Sequence, residues 1–404
     1  MPLSTTASAS SSVAPSPTSS RKEWALLHVS FVLIGVATTL LGPVLPSFLH
    51  RWSLTDAQAG FFFTSQYFFS TLGVIFTSFL LPRFGFSKVI GVGFLAFFLG
   101  FAFLGIGPWF LSVSMVGIYG FGYGLANPAI NLRGTQLPSK NTAGAVTLLN
   151  FSWSIGAVLC PFLVGALFPF IKLRGFSTLM AVGSLVLMGL HLSLRTAHIA
   201  AHPARAVHPL ADWLAHLRLP QAIPLLAVFF LYVGVEVALG GWVATYEKRL
   251  PGMSAVTLVV APSFFYGALL LGRGLAPIAL NYVSQIVISA GGLLLATLGA
   301  TAIAFSNSPH ILYLGAAIAG LGLAPQYPIF ITWLAAIFKQ DSPWIGALFF
   351  GAAGIGGGAI PWLVGVVSAY TSSLRLGLLI PLAISFFMVF LVLRARPDPE
   401  AFSA

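Results

Sequence analysis

The chain has 404 residues, 58% of them hydrophobic and only 7% charged, with a mean hydropathy of +0.96. A soluble domain carries roughly 25% charged residues, so a water-facing fold, a secreted domain and a disordered chain are excluded. The net charge of +11 is spread too thinly to track a nucleic acid, and the single cysteine, Cys160, excludes disulfides and cysteine metal clusters.

Crossing the hydrocarbon core takes about 20 apolar residues. Residues 1–22, mostly Ser, Thr, Ala and Pro, read as a disordered cytoplasmic tail. Spans 1 to 6 are expected at 24–49, 57–81, 87–106, 108–131, 142–170 and 176–196, a six-helix bundle over 23–196. A cytoplasmic linker, 197–220, follows with His198, His202, His208 and His216; it reads as an interfacial amphipathic segment, the less favoured reading being a metal or pH sensor. Spans 7 to 12 are expected at 221–247, 255–280, 283–305, 310–338, 343–370 and 374–394, a second six-helix bundle over 221–396 before a cytoplasmic tail, 397–404. Pro43, Pro46, Pro128, Pro161, Pro262 and Pro361 inside these runs imply kinks. With both termini cytoplasmic, thirteen of the 19 cationic residues fall inside and six outside, the bias a membrane protein prefers.

The two halves repeat. IGAVLCPFLVGAL (155–167) matches IGGGAIPWLVGVV (355–367) at six of thirteen positions, among them Gly156/Gly356 and Pro161/Pro361. GFGYGLANP (120–128) matches GLGLAPQYP (320–328) at the same 200-residue offset through Gly120/Gly320, Gly122/Gly322 and Pro128/Pro328. An offset of six spans keeps the orientation, so the halves are parallel repeats, the arrangement of carriers that bind substrate at the midplane between them. No Walker A, HExxH or GxSxG sequence occurs. An ATP-driven pump and an intramembrane hydrolase therefore lack their chemistry, and an enzyme is not expected.

An ionisable group in mid-membrane is a functional candidate by default. Of eight acids only Glu236 lies mid-span, in YVGVEVALGGW (232–242), where it is expected to exchange a proton or to serve as a structural carboxyl. Arg133 and Arg273 stand near cytoplasmic span ends, where gating and snorkelling explain them equally well. Tyr123, Asn127, Asn150, Trp153, Gln326 and Tyr327 are ligand candidates within spans, together with Gln66, Tyr67, Tyr119, Asn131, Tyr232 and Tyr266. Amides hydrogen-bond hydroxyls and rings stack on an apolar sugar face. The same side chains also serve as interhelical glue.

YVGVEVALGGWVATY (232–246) with PGMSA (251–255), QYPIF (326–330), GIGGGAIPWLVG (354–365), LTDAQAG (54–60) and ANPAI (126–130) resemble the fucose/glucose–galactose permease branch of the major facilitator superfamily. The resemblance implies an all-α membrane fold of twelve helices in two parallel six-helix pseudo-repeats. In the loop 2–3 signature, LPRFGFSK (81–88), Arg83, Gly85 and Lys88 remain while Pro82 stands at the acidic position, so Arg83 and Lys88 join the gating candidates. The fucose symporter's span 1 Asp and span 4 Glu fall on about Gly42 and Tyr123, its sugar-binding span 1 Asn near Thr39, and a span 5 Gln near Asn150. The fold and class carry over, while those two coupling carboxylates do not.

The expected function is alternating-access transport of a neutral small solute, a monosaccharide, coupled to H+ through Glu236 or running as a uniport. The protein is expected as a cofactor-free monomer in a plasma membrane, a bacterial inner membrane or its equivalent. Its expected partners are the solute and the lipid bilayer, with no metal and no nucleic acid. Efflux of lipophilic drugs or metabolites, and a non-transporting receptor, stay open as alternatives.

Overall fold

The computed structural model describes residues 17–138, 142–194, 210–253 and 260–397. Most of the expected N-terminal tail, most of the C-terminal tail, and His198, His202 and His208 of the linker lie outside the described residues. Thirteen α-helices and no strand are present among those described. In the first half, α1 (Pro17–Thr39) and α2 (Leu41–Trp52) form span 1, α3 (Asp56–Phe103) spans 2 and 3, α4 (Trp109–Gln136) span 4, and α5 (Thr142–Ser193) spans 5 and 6. The short α6 (Leu210–Leu217) belongs to the linker. In the second half, α7 (Ala222–Lys248), α8 (Ala261–Ala279) and α9 (Gln285–Ala304) form spans 7 to 9. There α10 (Pro309–Leu323) and α11 (Gln326–Phe338) share span 10, while α12 (Ser342–Thr371) and α13 (Leu374–Ala395) are spans 11 and 12.

Nine helical runs among the described residues are long and apolar enough to cross a membrane. Two of them reverse midway. At Gly85 the backbone takes φ 76°, a left-handed value that suits glycine. Gln66 and Gly73 lie against Gly120 and Gly124 of α4 in ascending order, whereas Gly93 and Gly100 lie against Gly122 and Tyr119 in descending order. The two arms of α3 therefore run antiparallel. The second reversal is at Lys172: His28 and Val32 meet Ser152 and Gly156 in ascending order, whereas Ser30 and Leu33 meet His191 and Gly183 in descending order, so the arms of α5 flank α1 in opposite directions. With α8 the passages number twelve.

Prolines break spans 1 and 10 for a common reason. Pro43 and Pro46 have no N–H for the carbonyls of Thr39 and Gly42, and the helix interrupts at Leu40. Pro325 and Pro328 do the same to Leu321 and Ala324, and the gap is stitched by Gln326, whose amide donates to the Gly322 carbonyl at 3.0 Å.

The repeat recurs in the packing. Gly120 sits on the Gln66 carbonyl and Gly320 on that of Phe265; Gly122 sits on Gly93 and Gly322 on Gly292; Gly156 sits on Val32 and Gly356 on Phe230. Each pair repeats at an offset of 198 to 200 residues. In a membrane, close backbone approach through small residues replaces the hydrophobic drive for helix association, so the glycines carry the pairing of spans in both halves.

Candidate functional site

The halves meet around a small central cavity of about 40 Å³. Its lining comes from both: Thr38, Thr39 and Gly42 of span 1, Phe63, Gln66 and Tyr67 of span 2, Tyr123 and Trp153 from α4 and α5, Glu236 and Gly241 of α7, and Tyr266 of α8. The break at Leu40 sets the span 1 wall. The Thr38 carbonyl accepts from Gln66 Nε2 at 3.0 Å, and its hydroxyl oxygen accepts from Trp153 Nε1 at 3.1 Å. Tyr119 donates to Gln66 Oε1 at 3.4 Å, and Thr39 donates to the Gly35 carbonyl at 2.8 Å. The polar wall is thus held in place by bonds within the first half.

The second half contributes a charged cluster. Arg273 Nη2 lies 3.3 Å from Glu236 Oε2, with the side chains 26% and 15% exposed. Tyr232, one turn before Glu236, donates its hydroxyl to the same oxygen and stacks on Tyr327 with centroids 6.0 Å apart. The Arg273 guanidinium also lies 5.7 Å from the Trp153 ring centroid, across the boundary between halves. Arg273 was expected near the cytoplasmic end of span 8; its length brings the guanidinium to Glu236 instead.

Of the expected ligand residues, Thr39, Tyr123 and Trp153 line the cavity with Glu236. Asn127 lies one turn beyond Tyr123 on α4, and Asn150 one turn before Trp153 on α5, both toward the end where α1 begins and α13 finishes, here called the termini side. Asn131 links them, donating to the Asn127 carbonyl at 3.1 Å and accepting from Asn150 Nδ2 at 2.8 Å. Tyr327 faces Tyr232 at the same level. Gln326 is fully buried and turned to α9, where it accepts from Ser289 Oγ at 2.7 Å and donates to the Ser289 carbonyl at 3.1 Å. Arg133 forms a two-point ion pair with Glu23 at 2.6 and 3.0 Å inside the first half. Arg83 and Lys88 are exposed at the span 2–3 reversal.

Away from the termini the halves are closed. Arg249 donates to Asp56 through Nη1 and Nη2 at 2.7 and 2.6 Å, and Ser368 donates to the same carboxylate. Thr64 donates to the Gly358 carbonyl at 3.2 Å, Gly42 meets Gly240, and the rings of Phe63 and Trp242 lie 6.0 Å apart. This distal closure, centred on Asp56, Arg249 and Ser368, was missed in the sequence. Asp56 follows the Thr55 N-cap and reads there as an ordinary first-turn acid. On the termini side, Glu23–Arg133 ties the first half to itself, and His216 to Asp341, at 3.0 Å, ties α6 to the second. Among the described residues no group of three or more His, Cys, Asp or Glu could hold a metal ion.

Human sodium-dependent glucose transporter 1 is 28% identical over 168 residues, which cover 38% of this chain and 32% of that protein. The chain thus matches about a third of the length of this curated relative. Two solved structures share the fold. The E. coli fucose:proton symporter FucP has 19% identity and a TM-score of 0.65, with 94% of this chain and all of that one covered. The nucleoside transporter NupG has 14% identity and a TM-score of 0.76, covering 92% and 98%. The Major Facilitator Superfamily model matches residues 27–305, more than half of the sequence, and the chain belongs to that superfamily.

Proposed function

We propose that the protein is a carrier, not an enzyme, that moves a neutral monosaccharide by alternating access, the bundles 23–196 and 221–396 rocking about the central cavity. The observation that carries this reading is the cavity lining. Hydroxyls of Thr38 and Thr39, the Gln66 amide, and the rings of Tyr67, Tyr123, Trp153 and Tyr266 converge from both halves on one space. Such a wall offers hydrogen bonds to hydroxyl groups and flat faces to a pyranose ring, and little for an anion or a bulky lipophile. The similarity to glucose, fucose and nucleoside carriers supports a sugar-bearing solute.

The row Asn127, Asn131 and Asn150 continues the polar surface toward the termini, and the Asp56–Arg249 pair closes the opposite end. With the termini cytoplasmic, as the cation bias favours, this geometry belongs to an inward-facing carrier of a plasma membrane. Thr39, Tyr123, Trp153, Asn127, Asn150 and Tyr327 are the proposed ligand set, with Glu236 at its edge. Gln326 acts through the span 10 break, and Arg83, Lys88 and Arg133 serve the cytoplasmic gate. The first half forms one wall and the second the other, so a monomer suffices.

Counterflow of labelled hexoses and 6-deoxyhexoses into proteoliposomes, at equal pH on both sides, tests this. Accumulation of at least one sugar is expected, with its loss in Trp153→Ala. Folded protein that exchanges no sugar but expels lipophilic dyes would move the assignment to efflux.

A further inference from the structure

Glu236 is the one acid expected at mid-membrane, and a lone carboxylate there invites a coupling proton or a metal cation. The structure changes its surroundings. Arg273 Nη2 stands 3.3 Å from Glu236 Oε2, Tyr232 donates to the same oxygen, and the guanidinium rests against the Trp153 ring at 5.7 Å. We propose that Arg273 is a built-in counter-cation for Glu236, so that the carrier moves its neutral solute with neither a proton nor a sodium ion.

Glu236 and Arg273 together are neutral, so the site carries no net charge through the membrane. A proton on Glu236 would leave the guanidinium uncompensated in the interior, which costs more than the ion pair it replaces. A sodium ion would have to displace a guanidinium already in contact with the carboxylate, and the other acid of α7, Glu247, lies three turns away and accepts from the Val260 and Ala261 N–H groups. The other titratable groups around Glu236 are phenols: Tyr67 of α3, Tyr123 of α4, Tyr266 of α8 and Tyr327 of α11, besides Tyr232. Helices α2, α6, α10, α12 and α13 also pack along α7. Their charged and histidine residues are confined to helix ends or the linker: His50, Arg51, Asp212, His216, His310, Arg375 and Arg394. None competes with Arg273 for the carboxylate.

The proposal rests on the carrier reading, and its test separates the two. In wild-type proteoliposomes that show sugar counterflow, exchange should be unchanged by pH, by sodium and by an imposed potential, and sugar entry should leave a lumenal pH indicator flat. Arg273→Gln removes the counter-cation; its exchange should become acid-dependent, rising by up to about tenfold per pH unit as Glu236 takes up protons. Glu236→Gln/Arg273→Gln should be pH-independent again.

A second arm needs no sugar. In Arg273→Gln the Glu236 carboxylate has no counter-cation in the membrane interior, so the variant is less stable the more of that carboxylate is ionised. Its apparent melting temperature should therefore fall by several degrees between about pH 5.5 and about pH 8, while wild type and the double variant stay parallel. Proton or sodium movement stoichiometric with sugar in the wild type, or an Arg273→Gln protein whose melting changes with pH no more than the wild type's, overturns the proposal. Absence of counterflow combined with the expected melting pattern would sink the carrier reading alone.

Discussion

Asp56 and Glu236 are both acids of membrane-crossing helices paired to an arginine, yet they do different work. Asp56 is 8% exposed and joins the first half to the second through Arg249, a pair that exists only while the distal end is closed. Arg249 is 42% exposed, so solvent screens part of the attraction, and Arg249→Met should weaken the closed state by about 1–3 kcal/mol. The expected result is a rise in labelling of Thr39→Cys, in a Cys160→Ala background, by a membrane-impermeant maleimide added from the distal side. Unchanged labelling would remove Asp56–Arg249 from the gate. Neither pairing was legible in the sequence. Asp56 and Arg249 are 193 residues apart and Glu236 and Arg273 37 apart, and hydrophobic periodicity carries no record of which helix faces which. Glu236 itself was legible, because an acid in the middle of an apolar run needs a reason. The orientation of Gln326 was not, since the sequence shows a polar residue beside a proline but not which neighbour it turns to.

Glycine does at the element scale what apolar burial does in water. Gly292 meets the Gly322 carbonyl and the Gln326 amide, whereas its neighbour Gly291 has open space around its Cα. Gly292→Ala should push α9 off span 10 and lower stability by about 1–3 kcal/mol. Gly291→Ala should raise it by about 0.5–1 kcal/mol by stiffening a helix that has room for the methyl. Thermal unfolding of the two purified variants beside wild type decides this, and equal shifts of one sign would contradict the packing.

The linker helix α6 is a separate case. His216 donates Nδ1–H to the Asp212 carbonyl at 2.7 Å and, when protonated, Nε2–H to Asp341 at 3.0 Å, and its imidazole is held above the usual histidine value, first by the Asp212 carbonyl and then by Asp341. A raised value in the folded state means that the contact contributes fully below about pH 6.5 and is lost as pH rises through the folded value. Amide protection factors in α6, taken relative to the base-catalysed exchange of an unstructured peptide at each pH, should accordingly be higher at about pH 6 than at about pH 8.5, with His216→Gln abolishing the difference; equal protection factors in the wild type would count against it. The sequence showed four linker histidines but not that His216 has an acid partner 125 residues on.

At the scale of the whole molecule the architecture was the most legible feature, because it is written twice. The 200-residue offset that aligns Gly156 with Gly356 and Gly120 with Gly320 reappears as equivalent helix contacts, so the six-span unit follows from sequence and packing alike. What the repeat cannot show is the asymmetry a carrier needs, one end shut and the other lined with polar groups. Thr64 and Gly358 lie on the shut side, across the boundary: a Cβ built at Gly358 stands 3.1 Å from Thr64 Cα. The Thr64 Cβ is at most one bond further, within bridging range for a disulfide. Thr64→Cys/Gly358→Cys, with Cys160→Ala, should therefore cross-link on oxidation and hold the distal end shut. If the halves must part there once per cycle, oxidation should reduce sugar counterflow at least about tenfold, a reductant should restore it, and each single-cysteine protein should be indifferent to both. Retained exchange in fully cross-linked protein would mean that solute passes without separation of the two bundles at Thr64, and the rocking of one bundle against the other would have to be abandoned.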